Sequence, residues 1–314
     1  MRDPDAYRWT HPGTMLVATD LSDLDYLMPF AFQQAGNTGA HMILLHVLSA
    51  ASGFTADAAG MPYYDTAGAL EIAEQMMHPW CEAATRRGIH CDILAREGHP
   101  TEQIAAAVRQ FHVDLVLVGT RSRSKLGKLL IGSVAEQVLR SVYLPVITVG
   151  PEAHLLVDPD EKRVVLHATT LRETSRPSAA LACQAAIAQN AKLVLLHVLP
   201  PIPEMERNGQ HTEMASSTML ELRLLASQVG ADCCSAVEPV VVHGNPSIEI
   251  LAQAAERHAC LIVLGATHRS AFENLTRDRT VYRVLAHARC PVLTLREPHS
   301  IPDEVHADAV EVHR

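Results

Sequence analysis

Aromatic side chains are scarce: two Trp, six Tyr and five Phe make up 4% of the 314 residues. A core without many rings must be built from Val, Leu, Ile and Ala, and a hydrophobic content of 48% supplies them. Long hydrophobic runs are missing too. No apolar stretch approaches the roughly 20 residues that cross a bilayer, and the opening segment, Met1 to Thr14, is polar and carries Pro4, Trp9 and Pro12 instead of a leader pattern. A soluble, cytoplasmic protein with no membrane partner is expected. Positive charge is in the minority, 26 Lys and Arg against 35 Asp and Glu, for a formal net charge of −9. That balance argues against a general nucleic-acid binder, which needs a basic face. The seven cysteines are odd in number, scattered and without C-x-x-C spacing, and Cys233 and Cys234 are adjacent. They read as buried reduced thiols.

Catalytic signatures are absent as well. There are 18 histidines but no H-E-x-x-H and no dense Cys/His cluster. There is no G-x-S-x-G nucleophile elbow and no acidic cluster suited to two metals. No catalytic residue and no metal ligand is assigned on this basis. A Walker A loop fails, because placing Gly127-Lys128 as its G-K pair requires Gly at 122 and Ser or Thr at 129, where the chain has Ser122 and Leu129. The dinucleotide pattern G-x-G-x-x-G is also absent.

What the chain does contain is itself, twice. Leu44-Leu-His-Val-Leu48 recurs as Leu195-Leu-His-Val-Leu199, and Ala18-Thr-Asp-Leu21 as Ala168-Thr-Thr-Leu171. Gly98-His-Pro100 recurs as Gly244-Asn-Pro246, and Pro145-Val-Ile-Thr-Val149 as Pro291-Val-Leu-Thr-Leu295. The order is kept and the offsets lie near half the chain length, so two tandem copies of one domain are expected. Their joint falls in the Pro- and Asp-punctuated stretch 150–160. The expected division is 1–152, 153–297 and a flexible acidic tail, 298–314.

Within the first copy, apolar strands at Met15–Thr19, His41–Leu48, Cys91–Arg96, Leu115–Val118 and Val146–Val149 alternate with helical patterns at Asp23–Ala35, stopped by Gly36, and at Glu71–Arg87, Thr101–Phe111 and Ser133–Val142. Continuous apolar strands separated by helices predict an α/β fold with a parallel sheet covered on both faces. Right-handed crossovers narrow this to a doubly wound sheet. Ligands of such sheets sit beyond the carboxyl ends of the strands, where strand order reverses. The long connections Ser49–Thr66 and Leu199–Ser217 each follow the second strand and are candidates for lids or plain surface loops.

One loop carries chemistry. Residues 119–133, after the fourth strand, hold Gly119, Arg121, Arg123, Lys125, Lys128, Gly132 and Ser133. Gly132-Ser133 stands where a helix begins, and helix N-termini bind anions through amides that lack intrahelical acceptors. Ser133 with Glu136 three residues on is equally a capping box. His46 and His197 repeat at equivalent strand ends and are read as packed or hydrogen-bonded near the crevice mouth.

The pattern Gly119-x2-Ser122-x9-Gly132-Ser133 resembles the G-x2-G-x9-G-[S/T] motif of ATP-binding universal stress proteins, with serine in place of the second glycine. Val134-Ala-Glu-Gln-Val-Leu139 and Ala18-Thr-Asp-Leu-Ser22 are similar to that family too. The resemblance implies two tandem doubly wound, five-stranded parallel sheets with helices on both faces, of the adenine nucleotide α-hydrolase-like type. It implies an ATP site in the first copy formed by Thr19, Asp20, Val47, Gly119, Ser122, Arg123, Gly132, Ser133 and Val134, with or without Mg2+. It also implies a pseudo-dimer within the chain through Val146–Val149 and Val292–Leu295, with a homodimer open beyond it. At constant offset the second copy places Asp278 at Gly132, Arg279 at Ser133, His268 at Ser122 and, in its own register, Thr170 at Asp20. A carboxylate where phosphate would sit repels it, so no ATP is expected there. Three functions stand open: an ATP-binding stress-response protein acting through conformation or partners, a scaffold that binds no nucleotide, and a slow ATP hydrolase.

Overall fold

The computed structural model describes residues 12–49, 54–56, 62–120, 131–154, 163–172, 175–202, 210–232, 237–267 and 279–297. The first copy runs β1 (Thr14–Thr19), α1 (Leu24–Thr38), β2 (His41–Leu48), a short hairpin of β3 (Phe54–Ala56) and β4 (Pro62–Tyr64), α2 (Thr66–Thr85), β5 (Cys91–Glu97), α3 (Pro100–Gln110), β6 (Leu115–Gly119), α4 (Ser133–Ser141) and β7 (Val146–Val149). The second runs β8 (Val164–Ala168), α5 (Arg176–Ala188), β9 (Lys192–Leu199), α6 (Gln210–Asp232), β10 (Val237–His243), α7 (Pro246–Glu256), β11 (Ala259–Thr267), α8 (Arg279–His287) and β12 (Val292–Glu297).

All ten long strands form one sheet in the order β10-β9-β8-β11-β12-β7-β6-β1-β2-β5. Within each copy the pairing is parallel, and β1 lies between β2 and β6. Strand order therefore reverses at β1/β6, as the doubly wound expectation requires. The copies meet where β7 and β12 pair antiparallel, Ile147 opposite Leu293. Thr148 Oγ1 donates to the Val292 carbonyl and Thr294 Oγ1 to the Val146 carbonyl, both at 3.2 Å, a reciprocal arrangement about the joint.

Alternation along the strands divides the core into two layers. Met15, Val17, Leu115 and Leu117 pack with Leu27, Met28 and Met77 from α1 and α2 on one face. Leu16, Ala18 and Val116 pack with Ile104, Ala107, Val138 and Leu139 from α3 and α4 on the other. The central strands are buried throughout, whereas β5 and β10, at the two ends of the sheet, are only half-buried.

Several local expectations change. Helix α1 does not stop at Gly36 but continues to Thr38 and is closed by Gly39, whose φ of 72° and N–H bond to the Ala35 carbonyl (2.8 Å) make the left-handed cap. The connection Ser49–Thr66 contains the β3–β4 hairpin, and α6 begins inside Leu199–Ser217 at Gln210. The remaining parts of both connections, and the tail 298–314, lie outside the described residues. The reduced-thiol reading fails for one pair: Cys81 near the end of α2 and Cys91 at the start of β5 form a disulfide, with Cα atoms 5.4 Å apart. The chain turns back after α2 and packs β5 against it, a proximity that cysteine spacing alone does not reveal. Cys183, Cys260 and Cys290 are in the thiol form, and burial pushes the last two up to about 11 and about 12.

Candidate functional site

The crevice at the β1/β6 reversal is assembled from strand ends and one helix start. Beyond β1 the chain turns through Leu21, whose φ is 70°. Thr19 holds that turn: its hydroxyl oxygen accepts from the Leu21 N–H at 2.9 Å, and its O–H donates to the Asp23 carboxylate. Asp20 Oδ1 accepts from both the N–H and the hydroxyl of Ser22, at 2.8 and 2.6 Å. The equivalent turn in the second copy, Leu171 with φ 58° held by Thr169 at 3.1 Å, shows that this backbone belongs to the fold and not to a ligand. His46 Nδ1–H donates to the Thr19 carbonyl (3.0 Å) and His197 Nδ1–H to Thr169 (2.9 Å), the hydrogen-bonded role expected for both.

Asp23 was missed by the sequence reading. The residue is 4% exposed and its carboxyl lies beneath the end of β6, where a Cβ on Gly119 would overlap Asp23 Oδ2 and approach the Tyr26 hydroxyl at 2.9 Å. Glycine at 119 is thus needed for close packing. Burial pushes the Asp23 carboxyl up to about 6; the nearby Asp20 charge adds to this and the Thr19 hydrogen bond opposes it.

Helix α4 enters the crevice by its N-terminus. Gly132 is the N-cap, with φ −61° and ψ 146°, and as glycine it has no side chain with which to cap the helix. The expected capping box is therefore not formed: Ser133 is already helical and exposed, and Glu136 pairs forward with Arg140 at 2.6 Å. The amides of Ser133, Val134 and Ala135 are left without intrahelical acceptors, at the positive end of the helix.

The crevice has a volume of about 550 Å³. Its walls include Thr19, Asp20, Val47, Gly119, Gly132, Ser133 and Val134, all named from the sequence, together with Asp23, His46, Pro100 and Ile104. Ser122 and Arg123, with Arg121, Lys125 and Lys128, lie outside the described residues. In the second copy Thr170 stands at the Asp20 position and bonds Ser175 across 2.9 Å between hydroxyls, while α8 begins at Arg279, in register with Ser133. His268 and Asp278 lie outside the described residues.

Two α/β copies, each reversing its strand order beside its first strand, define a tandem protein of the doubly wound α/β class. The universal stress protein family model matches residues 13–150 and again 162–296. The chain belongs to this family, as a tandem two-domain member. It is 26% identical over 237 residues to a universal stress protein of Mycobacterium tuberculosis, covering 73% of this chain and 74% of that one. It is 30% identical over 140 residues to a universal stress protein of Thermus aquaticus, 43% of this chain and 97% of the relative, which has the length of one copy. Among solved structures, a universal stress protein from Archaeoglobus fulgidus superposes with a TM-score of 0.65 at 21% identity, covering 90% of this chain and 98% of that one. Among the described residues, no helix is long and apolar enough to cross a membrane.

Proposed function

We propose that the first copy binds ATP in this crevice and that the protein acts in a stress response through nucleotide-dependent conformation or partner binding. The observation that carries the reading is the N-terminus of α4 at Gly132-Ser133, its N-cap a glycine, opening into a crevice of nucleotide-like size whose walls include Asp20 and Val47. The phosphates would take the free amides of α4, with Ser122 and Arg123 contributed from the adjoining loop. The base would lie against the end of β2 at Val47, and Thr19 would hold the turn that presents Asp20. Asp20 is the exposed carboxylate suited to meet a Mg2+ carried in with the nucleotide. Asp23 opposes a polyanion less than its position suggests, because burial keeps part of it protonated near pH 6.

Calorimetric titration of the whole chain with ATP tests the proposal. One site per chain is expected, lost in Gly132→Asp, which puts a carboxylate at the helix start as the second copy does. No binding by the parent chain, equal binding by both, or two sites per chain would overturn it. The scaffold reading is favoured by the β7–β12 joint, which pairs the two copies through their own backbones. Adenine nucleotide released from freshly purified protein on denaturation would decide against it. Slow hydrolysis requires turnover above a contaminant control that is abolished in Asp20→Ala.

A further inference from the structure

At the opposite end of the first copy's sheet, three side chains converge that the crevice does not use. His41 opens β2, and the Met42 N–H bonds to the His90 carbonyl at 2.9 Å, fixing His90 just ahead of β5. Met42 then pairs with Cys91 and Ile43 with Asp92. Because side chains alternate along strands, His41, His90 and Asp92 share one face, while Cys91 turns to the other and is bridged to Cys81 on α2. The ligand atoms of His41, His90 and Asp92 all lie within 4.8 Å of one another. His41 Nε2 is 2.9 Å from Asp92 Oδ2, yet this buried nitrogen makes no aligned hydrogen bond to it. Proximity without alignment is how two ligands of one cation approach, each aimed at a shared point and not at the other. The His41 and His90 rings meet edge-on, centroids 4.5 Å apart.

The second copy supplies an internal comparison. Lys192 occupies the position of His41 and Glu238 that of Asp92, and there the Lys192 ammonium bonds the Glu238 carboxylate directly, with Arg257 joining at 3.0 Å. The residue at the His90 position is Ala236. The fold thus places a carboxylate beside a nitrogen side chain at this corner of each copy. In the first copy the fixed ammonium is replaced by two imidazoles, which are neutral ligands when unprotonated.

We propose that His41, His90 and Asp92 bind a divalent first-row transition metal of the Zn2+ class. Two imidazole nitrogens with one carboxylate suit Zn2+ and its neighbours and disfavour Mg2+ and Ca2+, which take oxygen ligands. Bonds of about 2.0–2.1 Å put neighbouring ligand atoms roughly 3.3 Å apart in a tetrahedron, and rotation of the exposed His90 side chain closes the difference. The fourth position faces solvent and takes water. His41 lies six residues, about 20 Å, along β2 from Val47 at roughly 3.3 Å per residue, so the site is independent of the nucleotide crevice.

The test is titration of metal-stripped full-length protein with Zn2+, repeated on His41→Lys and His90→Ala. His41→Lys imitates the Lys192–Glu238 pair that the second copy already folds around. His90 is exposed and holds its neighbour through its backbone, so His90→Ala keeps the test open if the first variant unfolds. The parent chain is expected to bind one Zn2+ more than either variant, with affinity at that site weakened at least ~10-fold by loss of a ligand. Co2+ in place of Zn2+ is expected to give visible d–d bands that both variants lose. Equal Zn2+ uptake by parent and variants, or no uptake by the parent, would overturn the proposal.

Discussion

Asp23 and His167 are buried titratable groups whose effects on stability oppose each other. Burial raises the Asp23 carboxyl from 3.8 to about 6 and lowers the His167 imidazole from 6.5 to about 4, the Val263 carbonyl opposing the latter. Between pH 4 and 6 the folded chain holds a proton on Asp23 that the unfolded chain has released, so this group favours folding as pH falls. Over the same range the unfolded chain takes up a proton on His167 that the folded chain excludes, so that group favours folding as pH rises. Each slope approaches about 1.4 kcal/mol per pH unit, and together they nearly cancel. Asp23→Asn is expected to remove the first slope. Its stability by urea titration should exceed the parent's at pH 8 and fall steeply on acidification, where the parent stays nearly flat. Gly119→Ala is expected to cost about 1–3 kcal/mol by the same measurement, because a methyl there strikes Asp23 Oδ2 and the Tyr26 hydroxyl. Asp20, Val47 and Gly132 line the crevice, and the sequence offered them through the family resemblance, at strand ends and a helix start. Asp23 was not legible there, because its burial depends on Gly119, which comes from a strand far along the chain.

Among the elements, the central strands were the most legible, since residues buried on both faces read as continuous apolar runs. Helix ends were less so. Gly36 and Gly39 look alike in the sequence, but only Gly39 sits where the chain needs a positive φ. The Cys81–Cys91 bridge was hidden because it depends on α2 ending just where β5 returns alongside it. It pins the outermost strand of the first copy to its covering helix. For a bridge closing a sequence separation of 10, reduction is expected to cost about 2–3 kcal/mol. Urea unfolding with and without a phosphine reductant should show that difference in the parent chain. Cys81→Ser should match the reduced parent and not respond to reductant.

On the scale of the whole molecule, the decisive feature is the antiparallel pairing of β7 with β12. Ile147 and Leu293 are 3% and 0% exposed at this joint, so the core runs through it. Leu293→Ala is expected to cost about 2–5 kcal/mol and to lower the calorimetric melting of both copies together; two separated transitions would show that the joint does not couple them. The joint also frees the two copies from identity. A dimer of identical chains about a twofold axis must repeat every residue at both of its sites. Here the two halves are encoded separately, so Asp20 and Thr170, or Ser133 and Arg279, can differ while the sheet between them stays whole. Covalent linkage also makes the association independent of protein concentration. The ten-stranded sheet is therefore symmetric in backbone but not in chemistry: its two halves can diverge one residue at a time without loosening the joint that holds them.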